Sequence, residues 1–440
     1  MDRRSFLAIA SLASASVTLT ACAGTSSTST QNSNGSASGG DVTELTWWSN
    51  HPGSSKDIET ELISRFEKEN PDIKVKLVDA GKNYEEAAQK FNAALTGTDL
   101  PDIVVLSDVW WYNFAINGQI ANIDDLAKEA DVDLSTYVQP LYEDYAYDGG
   151  HFALPFARST PLFYYNKEAW KKAGLPDRGP ESWDEMDQWS SKLGEANPDM
   201  KAFGWGDAVD YLGWIFQGPL WSKGGAYSDE WDLKFTDSKT IEAVEWLKKV
   251  TDEKEGYSYV GNDMAMEFST GRAAATVLST GDLSGVNENA KFELGTAFLP
   301  NPTGDGACPT GGAGLAIPAS IDKKRQLAAV KLIDFLTNDE NTVYWSQNVG
   351  YMPVRSTAVE LEEQKKFMEE NPNFATAIQQ LPETRPQDYA RVFLPGADQE
   401  IGGAFEKIVT NRDDVTKTLT DLQKTLQAIY DNQVKPIAKS

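Results

Sequence analysis

The sequence predicts an α/β protein built from two open, mostly parallel sheets, and three observations carry that expectation. From Thr43 the chain alternates strand-like and helix-like patterns in the order β-α-β-α-β. Asp102-Ile103-Val104-Val105-Leu106 is a continuous apolar run of the kind a parallel strand buried on both faces requires. A second alternating region begins at Pro161. The stretch from Thr43 to Ser440 is also too long for one core and suits two domains.

Each element has its own local reason. Leu45 to Trp48 is a short apolar strand, and Ile58, Leu62, Ile63 and Phe66 fall on one helical face that Asn70-Pro71 ends. Ile73, Val75 and Leu77 alternate as a strand, and Tyr84 to Leu95 is helical again. In the second region Leu162 to Tyr165 is a strand, Lys167–Ala173 is a short helix ended by Gly174, and Ser182 opens another helix. Ile241 to Val250 is an amphipathic helix, Phe292–Leu299 and Gly314–Pro318 are strands, and Gln326–Leu336 is a helix. From about Thr357 the chain reads mostly as helices. In open sheets of this kind ligands sit beyond the carboxyl ends of the strands. Tyr84 and the segment Ser107-Asp108-Val109-Trp110 are therefore site candidates.

The totals exclude several functions. The net charge is −26, and about −27 without Asp2, Arg3 and Arg4, which disfavours nucleic acid and anionic membrane surfaces as partners. With two histidines, His51 and His151, and two cysteines, Cys22 and Cys308, no cluster has metal-ligand spacing, so neither metal nor other cofactor is expected. No H-E-x-x-H or G-x-S-x-G is present, and no paired-carboxylate pattern points to a hydrolase, so the chain is not expected to be an enzyme. Residues 23–42 are a Ser/Thr/Gly/Asn-rich tether with nothing to build a core.

The N-terminus carries an address. Arg3 and Arg4 precede a short apolar and small-residue run, Phe6 to Ala21, too short to span a bilayer comfortably. Leu19-Thr20-Ala21-Cys22 resembles a bacterial lipobox, which implies cleavage before Cys22, lipidation of its thiol and extracytoplasmic anchoring at the cell membrane. Asp2-Arg3-Arg4-Ser5-Phe6-Leu7 also resembles a twin-arginine export signal.

Further segments resemble one family along nearly all of residues 43–440. Leu100-Pro101-Asp102-Ile103, the run from Leu162 to Leu175, Glu181 to Met186, Asp334-Phe335-Leu336 and Gly350-Tyr351-Met352-Pro353 are similar to the substrate-binding lipoproteins of carbohydrate-type ABC importers. Within that family Ser159-Thr160-Pro161, Tyr257 to Gly261, Gly311-Gly312-Ala313 and Arg391 most resemble the binders of glycerol-3-phosphate and glycerophosphodiesters. The resemblance implies a periplasmic-binding-protein-like fold of two hinged lobes, expected here at 43–158 plus 279–311 and at 159–278 plus 312–440. Crossings are expected near Phe156–Pro161, Leu278–Gly281 and Gly311–Gly314.

It also implies a site. Arg391 would grip a phosphate, for which a planar guanidinium fork is suited. Ser159, Ser279 and Gly312 would donate hydroxyl or backbone N–H groups near it, and Tyr351 and Tyr84 would add phenols. Asp108, where glycerol-3-phosphate binders carry Glu, would accept glycerol hydroxyls in a slightly roomier pocket. Trp214 and Tyr211 would wall the pocket and could face a quaternary ammonium. Arg158 is open between a second positive charge for the ligand and a structural ion pair, while Asp57, Glu61, Glu85 and Glu86 read as solvated helix charges. The expected partners are a small glycerol phosphate or glycerophosphodiester and the permease subunits of an importer, with the chain itself a monomer. An oligosaccharide ligand is the alternative, suggested by 13 Trp and 16 Tyr.

Overall fold

The computed structural model describes residues 42–440 except 98, 209–210, 302–307 and 439–440. The signal segment, Cys22 and nearly all of the tether lie outside the described residues.

Ten strands form the two principal sheets: β1 (Thr43–Ser49), β2 (Ile73–Asp79), β3 (Ile103–Ser107), β4 (Leu154–Ser159), β5 (Pro161–Asn166), β6 (Phe203–Gly206), β7 (Ser258–Gly261), β8 (Ala275–Ser279), β9 (Leu294–Ala297) and β10 (Gly311–Ala316). The first sheet has the order β2-β1-β3-β10-β4, the second β7-β6-β8-β5-β9. In each, one strand runs against the other four: β10 is antiparallel to β3 and β4, and β5 is antiparallel to β8 and β9. The expected mostly parallel α/β architecture is thus present twice.

The sequence patterns act locally as anticipated. The helix Pro52–Glu69 buries Leu62, Ile63 and Phe66, and β3 is buried at every residue. Asn83 and Ser182 accept from the backbone N–H groups of Glu86 and Glu185 and so cap the helices Tyr84–Ala94 and Trp183–Ala196. Such a cap is worth about 1 kcal/mol.

The lobe boundaries need correction. β9, expected in the first lobe, pairs with β5 in the second sheet. β10, expected mainly in the second lobe, lies between β3 and β4 in the first. The helix Lys323–Leu336 follows β10 and packs Ala329, Leu332 and Ile333 into one core with Leu45, Trp47, Ile103 and Val105. The chain returns to the second lobe by the helix Pro372–Gln379, whose Phe374 and Ala377 pack with Leu162 and Tyr164, and Phe405, Ile408 and Leu419 then join Phe216 and Tyr227. Apolar patterning shows that a strand is buried but not which neighbour it will bond, and both sheets offered an open edge or gap. Of the three expected crossings, the one at Thr160 joins β4 directly to β5. At Ser279 the chain turns through Leu283–Asn289 and rejoins the same sheet, so the second passage lies instead between β9 and β10.

Candidate functional site

The carboxyl ends of the strands in both sheets face one cleft of about 980 Å³. All nine residues singled out from the sequence line it: Tyr84, Asp108, Ser159, Tyr211, Trp214, Ser279, Gly312, Tyr351 and Arg391. Tyr84 opens the helix after β2, Asp108 follows β3, and Ser159 and Ser279 end β4 and β8. β10 runs the opposite way, so its start, not its end, reaches this edge and brings Gly312 to it.

Backbone geometry explains the glycines. Gly312 has φ +102°, and a Cβ there would lie 2.1 Å from the Ala157 carbonyl oxygen. Its own carbonyl accepts from the Asp108 N–H at 3.0 Å, tying the two positions together. At Gly311 a Cβ would meet the Trp214 ring at 2.3 Å. That same ring edge is fixed, because Nε1 donates to the Thr310 carbonyl at 2.9 Å. Tyr211 stands in the left-handed region (φ 64°) and remains 45% exposed, so it forms an exposed wall beside the buried Trp214.

The polar centre is a network of five side chains. Arg391, 4% exposed, pairs through Nη2 with Asp398 at 2.7 Å. Its Nη1 donates to Gln387 Oε1, which also accepts from Gln217 Nε2 at 2.9 Å. Gln387 Nε2 in turn donates to Asp108. Burial pushes the Asp108 carboxyl above its usual range, while Arg391 and Arg158 pull it back and Asp398 adds to the rise. Opposite, the phenols of Tyr84 and Tyr351 share a hydrogen bond of 3.1 Å, with His51 Nε2 3.5 Å from Tyr84. Burial raises both phenols, so they stay protonated and able to donate.

Arg158 resolves to the structural alternative. Strand alternation turns it away from the cleft that its neighbour Ser159 lines. It is fully buried, pairs through Nη2 with Asp144 and donates through Nη1 to the Tyr145 hydroxyl at 2.7 Å. Burial pushes Asp144 up to about 6 even beside this cation. Glu85, read as a solvated helix charge, also borders the cleft. Sequence reasoning missed His51, Asp398 and Gln387. Only Asp398 left a signal, an acid in the first turn of the helix Ala397–Val409, seven residues after Arg391.

Charge sets the cleft's character. Among the described residues that line it, Arg391 is the only lysine or arginine, against Glu85, Asp108, Asp263, Asp282, Glu288, Asp398 and Glu406. Among the described residues no cluster of His, Cys, Asp and Glu could hold a metal ion, and no helix is long and apolar enough to cross a membrane.

Two sheet-based lobes with a polar, aromatic-walled cleft between their strand ends define a solute-binding protein. The chain belongs to the bacterial extracellular solute-binding proteins, whose family model matches residues 61–376. It is 32% identical over 375 residues to the sn-glycerol-3-phosphate-binding periplasmic protein UgpB of Shigella flexneri serotype 5b (strain 8401), covering 80% of this chain and 83% of that protein. Identity to UgpB of Escherichia coli (strain K12) is 31% over 373 residues, with the same shares covered. Among solved structures it is similar to UgpB from Mycobacterium tuberculosis in complex with glycerophosphocholine, at 50% identity and a TM-score of 0.85, covering 89% of this chain and 99% of that one. The maltose-bound T. maritima MalE3 shares the fold at 22% identity and a TM-score of 0.74, covering 88% of this chain and 100% of that one.

Proposed function

We propose that this protein captures a glycerophosphodiester with a cationic head group, of which glycerophosphocholine is the model, and delivers it to the permease of an ABC importer. The observation that carries this reading is the charge of the cleft: one buried arginine and seven carboxylates among the described residues that line it. A phosphodiester brings a single negative charge, which Arg391 can meet with its fork. Ser159, Ser279 and the Gly312 N–H lie at the same strand ends and supply further donors. Asp108 is placed to accept glycerol hydroxyls. A quaternary ammonium would be attracted both by the surrounding carboxylates and by the faces of Trp214 and Tyr211. The complex of the Mycobacterium tuberculosis relative with glycerophosphocholine supports the same ligand class.

Calorimetric titration of the purified protein with glycerophosphocholine, glycerol-3-phosphate and maltose tests the reading. Glycerophosphocholine should bind most tightly and maltose not at all; saturable maltose binding without glycerophosphocholine binding would favour the sugar alternative. The resemblance around Cys22 supports a further proposal, that a lipid on this residue and the roughly 20-residue tether keep a monomeric trap close to its permease at high effective concentration. Cys22→Ser should then release the protein from the membrane fraction, and unchanged membrane retention would refute the anchor.

A further inference from the structure

The ion pair that holds Arg391 has a consequence for which phosphates the cleft accepts. Asp398 itself borders the cleft, its side chain 28% exposed, and its Oδ1 lies 2.7 Å from Nη2 of Arg391. Gln387 engages Nη1, and Nε has no acceptor among the described residues. The single arginine among the described residues that line the cleft is therefore already half-neutralised by a carboxylate in the first turn of the helix Ala397–Val409. Gly213, one residue before the ligand-facing Trp214, packs beside that turn, where a Cβ would come within 3.3 Å of Ile401 and 3.8 Å of Asp398. The ion pair with Arg391 therefore keeps the Asp398 carboxylate beside the site although its side chain is partly exposed.

We infer that Asp398 is a specificity-determining residue: by keeping one face of Arg391 neutralised, it admits a phosphodiester monoanion and turns away a phosphate monoester dianion. A diester presents two unsubstituted oxygens and one charge, which the remaining guanidinium N–H groups and the neighbouring Ser159 and Gly312 can satisfy. A monoester near neutral pH carries between one and a half and two charges, roughly. Its extra charge faces Asp398 and Asp108 in a partly desolvated space, where like charges repel far more than in water. The inference rests on the functional reading above, and it adds a residue that acts through Arg391 without itself needing to touch the phosphate.

The test compares wild type, Asp398→Asn, Asp398→Ser and Asp398→Glu by calorimetry with three probes: glycerophosphocholine, glycerophosphoglycerol and glycerol-3-phosphate. Wild type should prefer both diesters to the monoester. The two neutral variants should narrow that preference by about tenfold, chiefly by gaining monoester affinity. Asp398→Glu, which keeps the charge, should retain the preference. Glycerophosphoglycerol, a diester without a cation, separates this effect from attraction of the head group by other carboxylates. Near-UV circular dichroism and melting temperature identify a variant that has merely lost its fold, and two neutral replacements guard against that. If the neutral variants bind but keep the wild-type ratio, or lose all three probes equally, Asp398 is only a structural partner of Arg391 and the inference fails. If wild type binds neither diester, the functional reading itself fails, a result distinguishable from the first.

Discussion

Arg158 and Arg391 are two buried arginines in one protein, each paired with an aspartate, and they differ in their access to the cleft. Arg158 is fully enclosed between Asp144 and Tyr145. Arg391 is nearly as buried, yet it borders the cleft; its partner Asp398 borders that cleft too, and its partner Gln387 reaches the cleft-lining Asp108. Both leave Nε without an acceptor among the described residues, so hydrogen-bond satisfaction does not separate them. Access does. A charge that a ligand can reach serves recognition, whereas a charge it cannot reach only has to be neutralised. The difference was decided by strand alternation, which faces Ser159 to the cleft and Arg158 away from it.

The largest expected effect breaks the enclosed pair. Arg158→Ala leaves Asp144 buried without its cation and should lower unfolding free energy by about 4 kcal/mol in urea titrations. Adding Asp144→Asn should recover a substantial part of that loss, because the stranded charge is then removed. Ligand affinity of the remaining folded protein should change little. Arg391→Ala should do the reverse. Its partner Asp398 is partly exposed and can be rehydrated, so the stability loss is smaller, while glycerophosphocholine affinity falls about a hundredfold, or about 3 kcal/mol. Calorimetry and urea unfolding on the same two proteins check both halves. Matching losses of stability and affinity in the two variants would erase the distinction.

Gly312 sits where the two centres meet, paired with Arg158 across the sheet and lining the cleft with its own backbone. Gly312→Ala would bring a Cβ against the Ala157 carbonyl in a left-handed backbone, at about 2 kcal/mol or more. Stability and affinity should fall together here, measured as for the arginines. Loss of only one of them would show that the strand can shift to relieve the clash without disturbing Asp108.

Much of this arrangement is legible in the amino-acid sequence. Hydrophobic periodicity reports burial directly, so β3, the helix Pro52–Glu69 and the second alternating region followed from the residues. Tyr84 and Asp108 followed from the strand-end rule alone, and the other site residues from motif resemblance. The rest was hidden for physical reasons. Whether β9 and β10 join one sheet or the other depends on partners distant in sequence, which patterning does not encode. Gln387 meets Asp108 across 279 residues, and a lone glutamine near the C-terminus carries no mark of that role. His51 looked like one of two unremarkable histidines, yet it stands at the edge of four aromatic rings, those of Tyr84, Phe156, Trp345 and Tyr351.

Beside His51 lies a buried carboxyl with no paired cation among the described residues, which sharpens the comparison from the other side. Glu59 is fully buried; its Oε1 accepts from the Ser49 hydroxyl at 2.6 Å, and the same hydroxyl oxygen accepts from the His51 N–H at 3.1 Å. Burial pushes Glu59 up to about 8, with the Ser49 hydrogen bond opposing and Asp79 adding to the rise, so the group stays neutral where Asp144 and Asp398 are paired. Burial likewise lowers His51 to about 4. The two act on stability with opposite signs. Between pH 4.5 and about 8 the folded state holds the Glu59 proton and the unfolded state does not, so stability falls as pH rises. Between about 4 and 6.5 the unfolded state protonates His51 first, so stability rises with pH. Over the shared window the terms offset each other. From pH 6.5 to 8 only the Glu59 loss remains, about 2 kcal/mol. Glu59→Gln keeps the amide in hydrogen-bond reach of Ser49 and removes the titration. Relative to wild type, its urea-unfolding stability should rise steadily from pH 5 to 8, because only wild type loses the Glu59 contribution over that range. Parallel curves for the two proteins would mean that water or a nearby cation already stabilises the Glu59 carboxylate.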